Sequence, residues 1–182
     1  MKSVIYSLIA LTILSSVFAV APAYAQQSTD MTDEHIARIK SSCLSARGTL
    51  TRIRANDALT YVNANQVYFS VSDKLIAHLN GRLALNRYDT TQLVKIATEY
   101  NKSLANFRGL YAKYDDAVAE LIRMDCTRQP VAFYDKVADV RQQRQSVRES
   151  VQKLQDSIDQ YRQGVQTFQL QQFPQTTGGS NE

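Results

Sequence analysis

Between Pro22 and Pro130 the chain contains no proline. Proline removes a backbone donor and clashes with the preceding helical turn, so its absence over so long a stretch permits very long helices. The apolar spacing then says that such helices form, because it repeats in alternating steps of three and four. Ile36, Ile39, Cys43, Ala46, Leu50 and Ile53 open the first series. It stumbles at Asp57 and Thr60 and resumes through Ala64, Val67, Val71, Leu75 and Leu79. Asp30 or Thr32 can cap its start, and Asn80-Gly81 or Asn86 can mark its end.

A second series follows Asp89-Thr90-Thr91-Gln92, which reads as a capping box with Asp89 in the cap. It runs unbroken through Leu93, Ala97, Tyr100, Leu104, Phe107, Tyr111, Tyr114, Val118 and Leu121. Pro130 suits the first turn of a third helix. There Phe133, Val137, Val140, Arg144, Val147, Val151, Leu154, Ile158, Tyr161, Val165 and Phe168 form one seam with a single charged member. The expected helices cover about 31–84, 89–126 and 130–171. At 1.5 Å per residue, 40 residues span ~60 Å. Short connections make neighbours antiparallel. The fold class is therefore all-α: an elongated antiparallel three-helix bundle over residues 31–173 with coiled-coil-like heptad seams. Pro174 closes it, and 174–182, ending Gly178-Gly179-Ser180-Asn181-Glu182, reads as a disordered tail.

Residues 1–25 have the layout of a secretory signal peptide: Lys2, an apolar run from Val4 to Val20, the breaker Pro22, and the small residues Ala23 and Ala25 around a cleavage point. Cleavage leaves 26–30 as a short lead and places the protein outside the cytoplasm, in the periplasm, the cell envelope or the medium. The apolar run also reaches the lower limit for a membrane span, ~17 residues. The alternative is an uncleaved anchor, and with it a membrane-tethered coiled-coil spacer.

An exported chain with two cysteines invites one disulfide. Cys43 and Cys126 lie equally far from a point between residues 84 and 85, inside the turn already placed by the apolar pattern. Folding the chain there brings the two thiols face to face. The same reflection sets Asp57 opposite position 112. A second reflection, about Arg128, sets position 112 opposite Arg144. Asp57 and Arg144 are the two charges that interrupt the seams, so they are expected to pair in a buried polar layer. Tyr111 and Tyr114 flank that level, with hydroxyls able to reach the carboxylate.

The formal net charge of +4 is spread evenly along the chain, with no polybasic run and no specific nucleic-acid signal. Its densest basic spot, Arg47, Arg52 and Arg54, reads as a solvated helix face. No phosphate-cradling glycine loop, nucleophile elbow, zinc-protease motif or Cys-x-x-Cys is present. His35 and His78 stand alone, so the expectation is no catalytic residue, no metal and no cofactor. The tyrosine stripe at Tyr100, Tyr111, Tyr114 and Tyr161 reads as core. Twelve glutamines between Gln142 and Gln175 give the third helix a soluble face of low charge, suited to solvent or to another protein. The layout is expected of a non-enzymatic interaction, scaffold or chaperone-like module whose partners are proteins or further copies of itself. A small-ligand binder with a core site near Asp57 and Arg144 is the remaining alternative.

Overall fold

The computed structural model describes residues 31–173. Residues 1–25, read as a signal peptide with Ala23 and Ala25 at the cleavage point, the lead 26–30 and the tail 174–182 lie outside the described residues. Helix α1 spans Asp33–Ser70, continues through a π-helical stretch at Val71–Ala77, and ends as α2 at His78–Leu85. Helix α3 spans Thr91–Arg123 and α4 spans Pro130–Gln172. The three rods form an antiparallel helical bundle.

The helix ends follow from local chemistry. Thr32 Oγ1 accepts from the His35 amide at 3.3 Å, so threonine caps α1. At the tip, Arg87 takes a left-handed conformation with φ 61°. Its amide donates to the Ala84 carbonyl and that of Tyr88 to the Leu83 carbonyl, a Schellman closure that uses two orphan acceptors. Asn80-Gly81, a candidate end, runs straight through as helix. Thr90 takes the N-cap position of α3 with no side-chain cap bond; Asp89, expected in the cap, stands one residue earlier and accepts from the Thr91 amide at 2.9 Å. Asp125 closes the second turn with its Oδ1 on the Thr127 and Arg128 amides, and Pro130 opens α4.

The seams of α3 and α4 face inward as their spacing predicts. All nine series members of α3 are buried, and Phe133, Val140, Leu154, Tyr161 and Phe168 are buried on α4. Ser150 and Ser157 are buried as well. Their hydroxyls donate to the Val147 and Lys153 carbonyls of their own helix, which leaves no unpaired polar atom there. Gly164 lets α3 approach, since a Cβ there would meet Ile96 Cδ1 at 2.9 Å.

The distal part of the first series is corrected. Val67 and Leu75 were expected in the core, but they are 59% and 63% exposed. The inward set is Tyr61, Ala64, Tyr68 and Val71, then Ile76, Leu79 and Leu83. The step from Val71 to Ile76 is five residues, because the π-helical stretch inserts one extra residue into the turn. Every side chain beyond it rotates by one position. Two tyrosine hydroxyls bracket the insertion. Tyr100 donates to the Tyr68 carbonyl at 2.8 Å, and Tyr161 donates to Asn80 Oδ1 at 2.7 Å while lying 3.5 Å from the Ile76 carbonyl.

The core divides into two clusters along the bundle. One, at the open end, gathers around Cys43, Tyr114, Leu121, Cys126 and Phe133. The other, toward the tip, gathers around Ile76, Leu93, Tyr100, Phe107, Leu154 and Phe168.

Candidate functional site: the polar layer and the α1–α4 groove

Cys43 and Cys126 are joined in a disulfide with Cα atoms 5.6 Å apart. The bond ties α1 to the turn between α3 and α4, and both residues are buried.

Asp57 sits midway along α1, where the two core clusters meet. Arg144 of α4 reaches it with a two-point fork: Nε to Oδ2 and Nη2 to Oδ1, both 2.7 Å. Tyr114 of α3 donates its hydroxyl to Oδ2 at 2.5 Å. One carboxylate therefore joins all three rods at a single level. The site is half-open, with the Asp57 side chain 20% exposed and that of Arg144 38% exposed.

Tyr111 differs from its expected part. Its ring stacks on Tyr61 with centroids 3.7 Å apart and planes at 2°, which turns it along the wall of the layer. Its hydroxyl donates no bond to Asp57. The apolar ring area that Tyr61 and Tyr111 bury against each other on neighbouring helices holds it there.

Burial opposes charge on Asp57, but the bonds from Arg144 and Tyr114 outweigh it and hold the carboxyl below its ordinary pKa. Burial, and then the bond to Asp57, pushes the Tyr114 phenol well above its usual value. A carboxylate saturated by a guanidinium and a phenol that does not ionise are poor proton carriers near neutrality. The arrangement is suited to fixing the register of three helices. Among the described residues no three His, Cys, Asp or Glu side chains gather as a metal ion would need.

The basic spot on α1 is also corrected. Arg54 forks onto Asp115 of α3, with Nε to Oδ1 and Nη2 to Oδ2 both 2.7 Å. Arg47 Nε donates to the Ile122 carbonyl at 2.8 Å, an acceptor left free in the last turn of α3. Two of the three arginines are thus links between helices. The reflection that paired the cysteines sets Arg54 opposite 115, an aspartate, so the signal was present in the sequence.

Above and below the Asp57–Arg144 bridge, α1 and α4 stand apart. On the tip side lies a cavity of about 330 Å³ lined by Tyr61, Ala64, Phe107, Val147, Arg148 and Val151, among others. On the disulfide side a second, of about 350 Å³, is lined mainly by Leu50, Ile53, Val118, Phe133, Val137 and Val140. Both open to solvent, and Tyr114 and Arg144 border each of them. No described helix is long and apolar enough to cross a membrane. Compared with protein-family models, curated proteins and solved structures, the chain matches none of them.

Proposed function

We propose that the chain is an exported, non-enzymatic interaction module that takes a protein partner in the groove between α1 and α4. The observation that carries this reading is the incomplete seam itself. Two mostly apolar cavities flank one ion pair along the same groove. A partner's apolar side chains would fill them on either side of the bridge. Binding there would release water from apolar walls without breaking the Asp57–Arg144 contact. The seams that hold the helices pack in the coiled-coil manner, as the alternation of three- and four-residue steps supports.

Export rests on the signal-like segment at 1–25 and is compatible with the disulfide, which belongs to oxidising compartments. It predicts a mature N-terminus at Gln26 by intact mass. A chain that starts at Met1 would favour the membrane-anchored spacer.

The groove is tested by placing a photo-crosslinking amino acid at Thr60 or Arg148 on its rim, and at Gln163 on the outer face of α4. In cells, adducts of one defined mass are expected from Thr60 and Arg148 and not from Gln163. Equal adducts from all three, or none from the rim, would refute the groove as the binding face.

A further inference from the structure

The outer face of α1, turned away from the groove, carries a second regular pattern. Arg52, Ala55, Leu59, Val62, Gln66, Phe69 and Asp73 recur in steps of three and four along one stripe. All seven are exposed. Leu59 is 65%, Val62 56% and Phe69 49% exposed. No charged residue occurs between Asp57 and Asp73. A solvated helix face ordinarily carries charge on most turns. This one has charge only at its two ends, and the ends have opposite sign. Neither Arg52 nor Asp73 joins an ion pair among the described residues.

We infer that this stripe pairs antiparallel with the same stripe of a second copy of the chain. A two-fold axis near Val62 sets Arg52 of each copy within a turn of Asp73 of the other and brings Leu59, Val62 and Phe69 together at the centre. A parallel pairing would stack Arg52 on Arg52 and Asp73 on Asp73, so the charges select the antiparallel one. The flanking Asn56, Asn63 and Ser70 are uncharged, and at the α3 edge the Arg108 guanidinium is already engaged, 5.6 Å over the Phe69 ring and bonded to Asn65, so no unpaired ion of α1 is desolvated along the middle of the stripe. The stripe spans ~32 Å of helix, which makes a small isologous interface and a reversible dimer. This pairing uses a face distinct from the α1–α4 groove and stands or falls apart from it.

Sedimentation equilibrium on the exported full chain, from low micromolar to low millimolar concentration, reads the pairing directly. The weight-average mass should rise toward twice that of the chain. Val62→Lys places two cations at the axis and should weaken dimerisation by about tenfold or more with no change in helical signal. Arg52→Asp alone and Asp73→Arg alone should each weaken it, and the double exchange should restore it to near the parent value. A chain that is monomeric at every concentration would overturn the inference. So would a dimer indifferent to Val62→Lys, or a double exchange that restores nothing.

Discussion

Helices α1 and α3 have similar lengths and similar apolar spacing, yet they are held in opposite ways. Ten of the 33 residues of α3 are buried, against Cys43 alone among the 38 of α1. Helix α3 lies between the other two and is fixed by continuous packing. Helix α1 is fixed mainly by discrete links: the disulfide, the Arg47–Ile122, Arg54–Asp115 and Arg108–Asn65 bonds, the Asp57 layer with the Tyr61–Tyr111 stack beside it, and the Tyr100 hydroxyl on the Tyr68 carbonyl. Packing holds a rod along its whole length, whereas links hold it at a handful of points. A rod held by links can also leave a seam open on its far side, and the α1–α4 groove is that seam.

The contrast can be broken most severely in the packed pair. Leu154 is fully buried on α4. Leu154→Ala should cost ~2–5 kcal/mol in urea unfolding, because the close-packed pair cannot collapse onto the cavity. Removing the covalent link with Cys43→Ala and Cys126→Ala together should cost ~2–4 kcal/mol. The double variant should keep its far-ultraviolet helical signal, since no helix depends on the bond to form.

Asp57→Ala should cost about 2 kcal/mol. It strands Arg144 and the Tyr114 hydroxyl, but solvent at the half-exposed guanidinium screens part of the loss. The pH dependence has a definite sign. The carboxyls of Asp57 and Asp115 are depressed by folding. Their contribution is complete above the ordinary carboxylate pKa and is lost as pH falls through the lower folded value. Acid unfolding of Asp57→Asn should therefore lose part of that slope. The smallest expected effect is Tyr100→Phe, at about 1 kcal/mol, from the missing bond to the Tyr68 carbonyl. Losses at Asp57 or Tyr100 as large as that of Leu154→Ala would erase the distinction between links and packing.

What could be read in the sequence follows the same division. The seams of α3 and α4 were legible because nearly every inward position has an apolar occupant at helical spacing, Arg144, Ser150 and Ser157 of α4 apart. The links Cys43–Cys126 and Asp57–Arg144 were legible because tight turns between straight helices keep opposite residues at a nearly constant distance from the turn. The distal half of the first rod was not. There apolar residues come in adjacent pairs, Val67 with Tyr68 and Leu75 with Ile76, so two frames fit equally well. Tyr68 turns inward because it continues the frame of Asp57, Tyr61 and Ala64, and its carbonyl takes the Tyr100 hydroxyl; Ile76 turns inward because of the backbone insertion at Val71–Ala77. The orientation of Tyr111 was hidden for a related reason. Its level in the bundle followed from register, but its rotation depended on Tyr61, which the first apolar series left out.

Amide hydrogen exchange, followed residue by residue before and after disulfide reduction, tests the account most directly. Linked but thinly packed, α1 should open at a lower free energy than α3 and α4. Reduction should speed exchange across Asp33–Ser70, most of all near Cys43, and leave the buried middle of α3 and α4 at its former protection. Equal protection of all three helices, falling together on reduction, would contradict it.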